Sequence, residues 1–303
     1  MGNIEIFKII IIMNLMAVTS VYARDYYLQP FSDNSPWNKP LIEYQEYVDN
    51  DIIKVRKINN LSAVVINSKK WSIPFYKASK YDPVLNVYVK NISKNVSLRM
   101  PKEAQPAKGK DAHLNILSEN KKTIYEFYKY NKTKRIAKSL KIVNIEGLGV
   151  SQKPGYILGT RAYGGSSVGG LIRNWELAQN EKINHPLALA IGGEYLKSGY
   201  VWPASSEDSH SNKSYTGTIA MGSVITLPKE LDISGILSND TAKNIAHALQ
   251  EYGGYIVDTV GNNNIILYAE PTANHSMLKR AAKQLSQILP HLIVLDGYNT
   301  SIK

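Results

Sequence analysis

Between residues 52 and 100 the apolar side chains come in short alternating runs: Ile52–Ile58, Leu61–Ile66, Ile73–Tyr76, Leu85–Val89 and Val96–Met100. Clusters of Pro, Asn, Ser and Lys separate them. Side chains of a strand point to opposite faces in turn, so this period favours short, half-buried antiparallel strands. Two more runs, His113–Leu117 and Thr123–Tyr130, flank the turn-forming stretch Ser118-Glu119-Asn120-Lys121-Lys122 and read as a hairpin. Eight glycines fall between 147 and 170. They lack the strand and helix context of a dinucleotide fingerprint and the G-K-[ST] of a phosphate loop, so they read as a loop system with close backbone approaches. His185–Ile191, Gly199–Trp202, Ser223–Leu227 and Leu292–Leu295 read as further strands, and Tyr255–Val260 with Ile265–Ala269 as a hairpin around Gly261-Asn262.

Helical spacing is confined to three places. Asn239–Tyr252 has Asn239 or Asp240 to cap it, an apolar stripe through Ile245, Ala246 and Leu249, and Gly253 as a stop. Asn274–Ile288 repeats the pattern with Met277, Leu278, Ala281, Leu285 and Ile288. Leu171–Gln179 is a shorter candidate. The expectation is one mainly β domain over residues 24–303: an antiparallel β-sandwich, jelly-roll or concanavalin-like, with two or three peripheral helices. Before it comes an extended, proline-punctuated entry pinned at Trp37.

Residues 1–23 read as a secretory signal peptide. Lys8 precedes the apolar run Ile9–Val18, and Val21 and Ala23 end it in a V-x-A cleavage pattern. That run is shorter than the ~20 residues of a transmembrane helix, and the mature chain shows no other candidate. The expected location is secreted or periplasmic. Of 303 residues none is Cys, which removes thiol catalysis and Cys-ligated metals and leaves packing and hydrogen bonds to hold an exported fold.

Lys and Arg number 36 against 25 Asp and Glu, a net charge of +11. Such a field attracts anionic polymers. The densest group is Lys132, Lys134, Arg135, Lys138 and Lys141. No recognition motif accompanies it, so specific nucleic-acid binding is not expected, and the expected partner is an anionic polysaccharide. The 20 Tyr against 4 Phe and 4 Trp supply rings that stack on sugars or cover sheet edges.

The hairpin carries the main chemistry. Alternation puts His113 and Asn115 on one face of its first strand, and Glu126 with Tyr128 on one face of its second. Glu126, His113, His185 and Tyr128 are the catalytic candidates, and Asp111, Arg161, Arg173, Tyr200 and Trp202 the substrate-binding ones. A hydrolase would pair Glu126 with Asp111 across the glycosidic bond. A lyase would use His113 or His185 with Tyr128 to move a proton, and Arg161 or Arg173 to face a uronate carboxylate. Tyr200 and Trp202 make a sugar-stacking platform if exposed and core if buried. Asp258 reads as a turn-ordering residue before Gly261. No metal or cofactor is expected from the histidine spacing, although loop oxygens leave a calcium ion open. An α/β-hydrolase triad is not expected.

Several phrases taken in order resemble a broad group of exported bacterial proteins of largely unassigned function, often found beside carbohydrate-related modules. They are Phe31-Ser32-Asp33-Asn34-Ser35-Pro36-Trp37-Asn38, Asp111-Ala112-His113-Leu114, Tyr125-Glu126-Phe127-Tyr128, Gly170-Leu171-Ile172-Arg173 with Glu176, His185-Pro186-Leu187-Ala188-Leu189, Tyr200-Val201-Trp202-Pro203-Ala204, and Leu249-Gln250-Glu251-Tyr252-Gly253-Gly254-Tyr255-Ile256-Val257-Asp258. The order departs after Ala204, where the group carries a basic or histidine-containing turn and this chain has Ser205-Ser206-Glu207-Asp208-Ser209-His210. The resemblance implies an exported, β-rich protein. The shared polar face, the basic charge and the export signal favour a carbohydrate-active protein that cleaves an acidic polysaccharide, with a non-catalytic polysaccharide- or envelope-binding module and a structural or host-interaction protein as the alternatives.

Overall fold

The computed structural model describes residues 24–42 and 44–298. The signal-peptide assignment, on residues 1–23, lies outside them. The first half of the chain forms β1 (Lys54–Lys57), β2 (Val64–Asn67), β3 (Phe75–Lys77), β4 (Val84–Val89), β5 (Lys94–Arg99), β6 (Leu114–Leu117), β7 (Thr123–Tyr128), β8 (Ile136–Ala137) and β9 (Ser139–Asn144). The second half adds β10 (Leu187–Gly192), β11 (Leu196–Tyr200), β12 (Ile219–Met221), β13 (Val224–Thr226), β14 (Gly254–Val260), β15 (Ile265–Tyr268) and β16 (Ile293–Asp296). The helices are α1 (Gln45–Asp49), α2 (Ser211–Ser214), α3 (Ile233–Ile236), α4 (Asp240–Glu251) and α5 (His275–Leu285).

The protein is mainly β, as the alternation implies, but its sheets are mixed. The largest has the order β1-β16-β13-β14-β10-β15-β2, and the others are β3-β6-β7-β9, β5-β4-β8 and β11-β12. Each contains a parallel pair: β14 with β10, β3 with β6, β4 with β8, and β11 with β12. The strictly antiparallel pairing expected of the sandwich is therefore corrected. Alternation reports which faces are buried and carries no information on strand direction.

A second correction concerns β14 and β15. They follow one another across a short turn, yet β10 lies between them, parallel to β14 and antiparallel to β15. The β10 run Leu187–Ile191 is buried on both faces, and a wholly apolar strand is most stable at the centre of a sheet. The 261–264 turn thus bridges over a central strand.

Helices α4 and α5 match their sequence signals. Asn239 and Asn274 accept from the N–H groups of Ala242 and Met277, caps worth about 1 kcal/mol each. Their apolar faces, including Ile245, Leu249, Leu278 and Leu285, pack into the main core with the large sheet. Each buried Leu or Ile stabilises by about 1.5–3 kcal/mol. The helix expected over 171–179 shrinks to one tight turn at Trp175–Leu177. Ile172 bridges to Ala269 and the Arg173 N–H donates to the Glu176 carboxylate, so the first turn has no free backbone to propagate.

The β6–β7 hairpin forms in the register Leu114↔Phe127, Asn115↔Glu126. One face, Leu114, Ile116 and Phe127, joins a smaller core with Val87, Val89, Leu98 and Met100. The other carries Asn115 and Glu126 and is covered by the glycine-rich loop. That loop turns back on itself at Gly159, where a Cβ would lie 2.0 Å from the Gly165 carbonyl oxygen. Among the described residues no helix is long and apolar enough to cross a membrane.

Candidate functional site

A cavity of about 450 Å³ opens where the edge of the large sheet meets the β6–β7 hairpin. Strands β2, β14 and β15 supply Asn67, Asp258 and Tyr268; the approach to β6 supplies Asp111 and His113; the glycine-rich loop supplies Arg161. Trp71 stands at one wall, 43% exposed, with the Lys70 Nζ 4.1 Å from its ring centre. The turn over β10 adds Asn262 and Asn264.

Arg161 is buried between the sheets, its guanidinium carbon 3.6 Å from the centre of the Tyr268 ring. Its Nη1 pairs with Asp258 at 3.1 Å. Nε and Nη2 are shielded from water and have no hydrogen-bond partner. Burial of the Asp258 carboxyl pushes its pKa up, against the pull of Arg161.

His113 lies against Tyr128, ring centres 5.4 Å apart. Burial, helped by the positive charge of Arg161, lowers its pKa to about 3. The ring is neutral at ordinary pH. Its Nδ1 is 3.4 Å from the Thr160 hydroxyl oxygen. That hydroxyl donates its proton to Glu126, so it meets the ring as an acceptor. The arrangement places the imidazole proton on Nδ1 and leaves the lone pair on Nε2.

Glu126 is fully buried. Its carboxylate accepts from the Thr160 N–H and hydroxyl, from the Ser166 hydroxyl and from the Ser167 N–H. Burial raises its pKa, and these donors oppose the rise. It cannot touch a substrate, so its assignment as a catalytic residue is corrected: it holds the loop that carries Thr160 and Arg161. The expected wet face of the hairpin is roofed, because a glycine-rich loop supplies the donors that a buried carboxylate demands.

Tyr128 donates to Asp111 at 3.3 Å, and burial with the nearby Asp111 charge raises its pKa. It buttresses His113 without lining the cavity itself. His113, Asp111 and Arg161 all line the cavity.

His185 and Arg173 do not, and both assignments are corrected. His185 Nε2 binds Glu176 at 2.9 Å and its Nδ1 faces the Pro186 carbonyl at 2.8 Å. Burial alone would lower its pKa, but the Glu176 carboxylate lifts it above its ordinary value. Arg173 reaches Glu270 at 2.9 Å and the Tyr27 carbonyl at 2.7 Å, clamping the N-terminal entry to the core. These charges are consumed by each other at a separate place in the fold. Tyr200 ends β11 at the surface while Trp202 packs against the main core. The strand stops between them, so the stacking platform is corrected as well.

Reasoning from sequence missed Trp71 and the functional placement of Asp258. Trp71 carried one usable signal, a lone large aromatic inside the polar run Asn67-Ser68-Lys69-Lys70-Trp71-Ser72. It also passed over Gly165-Ser166-Ser167-Val168-Gly169, which spells the G-x-S-x-G nucleophile pattern. Here Ser167 is buried in a loop and donates its hydroxyl to Asn115 at 2.9 Å, which is not the exposed strand-to-helix elbow that a nucleophile needs. Among the described residues no group of three or more His, Asp or Glu side chains is arranged to hold a metal ion. Comparison of the chain with family models, with curated proteins and with solved structures returns no match.

Proposed function

We propose that this chain is an exported carbohydrate-active protein that holds a polysaccharide in the cleft beside Trp71 and cleaves it there. The observation that carries the reading is the company Trp71 keeps. A half-exposed indole faces a cavity of sugar-unit dimensions lined by amides, carboxylates and a neutral imidazole. An apolar ring face with convergent polar groups is the chemistry that grips a pyranose. Lys70, whose ammonium lies over one face of the Trp71 ring, and the net charge of +11 suit an acidic polymer. Export rests on the pattern of residues 1–23 and on the resemblance to exported, carbohydrate-associated proteins.

Cleavage is favoured over passive binding by the alignment of Glu126, Thr160 and His113, which fixes one tautomer of a ring at the cleft wall. Hydrolysis through Asp111 and Asp258 is the second reading, because two carboxylates line the same cavity and burial pushes the pKa of Asp258 up against the pull of Arg161.

The test is a panel of acidic and neutral polysaccharides, with binding read by calorimetry and cleavage by new reducing ends. Trp71→Ala should weaken binding about 10–100-fold, the worth of one buried aromatic face, with its unfolding midpoint unchanged. Unaltered binding by this variant removes the cleft from the assignment.

A further inference from the structure

We infer that the lobe built by residues 78–141 is a docking surface for an acidic polysaccharide, which it grips by the polymer's repeated carboxylates while the Trp71 cleft holds one short stretch. The choice of a glycan rests on the reading of that cleft. The first support is where the charge lies. Residues 80–141 carry fifteen Lys and Arg against five Asp and Glu, and the rest of the chain carries 21 against 20. Almost the whole net charge of +11 thus sits on about a fifth of the chain. One of the five acids, Glu126, is sealed inside. Twelve of the fifteen cations are exposed. Among the described residues Arg99 alone of the fifteen forms an ion pair, with Glu119 at 3.6 Å. The same stretch closes a core of its own, since every buried side chain of the smaller core falls between Ala78 and Leu140. The basic surface is therefore one physical unit.

Like charges crowded on one lobe repel each other, a cost that an anionic partner removes. Lys90 and Lys94 flank the turn between β4 and β5. Lys134 and Arg135 lead into β8 beside it, where the Arg135 carbonyl accepts from the Tyr88 N–H at 2.9 Å. Lys108 and Lys110 lead toward β6. Charges spread over turns and strand ends suit an extended polyanion, whereas a compact anion needs donors that converge on one point. Rings stand among them. Tyr81 is 84% exposed with the Lys80 Nζ 5.0 Å from its centre, and Tyr88 is exposed on the outer face of β4. Such rings offer a flat surface to a sugar.

The second support is continuity with the cleft. The ammonium groups of Lys129 and Lys138 lie 5.4 and 5.7 Å from the centre of the Tyr128 ring, which packs on His113 of the cleft wall. The Lys108 carbonyl accepts from the Trp71 N–H at 2.7 Å. Gly109 lies so close to the indole that a Cβ there would come within 2.8 Å of its Nε1. A polymer leaving the cleft past Tyr128 or past Trp71 runs onto ammonium groups. The cleft lining favours a polysaccharide over a nucleic acid. The carboxylates of Asp111 and Asp258 and the amides of Asn67, Asn262 and Asn264 line it. Carboxylates accept only from donors. Sugar rings supply hydroxyl donors around their edge and a DNA backbone has none, while its phosphates would be repelled.

The experiment measures binding of the full chain to polygalacturonate, its methyl ester, trigalacturonate, single-stranded DNA and anionic phospholipid vesicles, by calorimetry from low to high salt. Wild type should bind polygalacturonate about 10-fold or more tightly than the ester, and the advantage should shrink as salt rises. The combined variant Lys90→Gln, Lys94→Gln, Lys134→Gln and Arg135→Gln removes four charges without touching the cleft. It should weaken polymer binding about 10-fold, flatten the salt dependence and leave trigalacturonate binding unchanged. The control Lys182→Gln, Lys213→Gln, Lys279→Gln and Lys283→Gln removes the same charge elsewhere and should weaken polymer binding less than about 2-fold, because screening confines each charge to its surroundings. Equal losses in the two variants, or equal binding of acid and ester by wild type, would overturn the docking surface and leave the cleft reading intact. DNA or vesicles bound more tightly than polygalacturonate, and weakened by the first variant alone, would overturn the partner. No binding of any glycan would overturn both readings. The salt and ester comparisons require no variant, so they stand even if the first variant does not fold.

Discussion

The Glu126 carboxylate accepts two hydrogen bonds from Thr160, one from its backbone N–H and one from its hydroxyl, each 3.0 Å. The two residues are 34 positions apart, on β7 and on the glycine-rich loop. Through this contact a fully buried acid sets both the position of the neighbouring Arg161 and the proton of His113. Glu126→Ala leaves the Thr160 and Ser167 N–H groups buried without acceptors. It should destabilise the fold by about 3 kcal/mol, read by urea unfolding. Glu126→Gln keeps the shape but turns one donor–acceptor contact into a clash of donors and should cost less than the alanine. A carboxylate acting on substrate would instead give an alanine variant of native stability and no activity.

His113 should shape the acid limb of the stability curve. An unfolded histidine takes up its proton near pH 6.5, whereas in the fold burial and Arg161 hold the pKa to about 3. The contribution is complete above pH 6.5 and is lost as the pH falls toward 3. Between pH 7 and pH 4 the native protein should lose about 3 kcal/mol through this residue alone. The difference between wild type and His113→Gln across that span isolates it. Parallel curves for the two proteins would contradict the buried, neutral ring.

His185 should act in the opposite direction. Its Nδ1 faces a carbonyl and its Nε2 a carboxylate, so only the doubly protonated ring satisfies both. Its pKa is raised in the fold. The stabilisation is fully present below the ordinary histidine value and disappears as the pH rises through the elevated one. The thermal midpoint should fall by about 3 °C on going from pH 6 to pH 9, and His185→Gln should abolish that fall. The variant should cleave substrate at the wild-type rate, since the Glu176 pair is remote from the cleft.

Gly159→Ala tests whether the loop needs its tight fold. The new Cβ would sit 2.0 Å from the Gly165 carbonyl oxygen, so backbone must move. A loss of about 1–3 kcal/mol is expected. Because Thr160 and Arg161 follow directly, substrate affinity should drop as well. Gly155→Ala, at a position with open space around the missing Cβ but a φ of +74°, should cost only local strain of about 1 kcal/mol and leave affinity unchanged.

Local chemistry alone determined a good part of this protein. The period-two runs place most of the strands, Asn239 starts the longest helix, and the 118–122 turn closes the hairpin whose second strand carries Glu126 and Tyr128 on one face. These follow from side-chain direction, capping and turn length, each decided within a dozen residues. Tertiary structure alone decided the rest. Nothing near β14 and β15 says that β10 will insert between them, and nothing in an alternating run says which strand will run parallel to which. Nor does the hairpin sequence reveal that a loop three dozen residues on will roof its polar face, turning Glu126 from an exposed acid into a buried anchor. His185 and Arg173 looked like partners for His113 because their chemistry fits, but Glu176 and Glu270 reach them first. Charge and shape are read from the chain one residue at a time, while burial and partnership depend on which distant segment arrives to cover them.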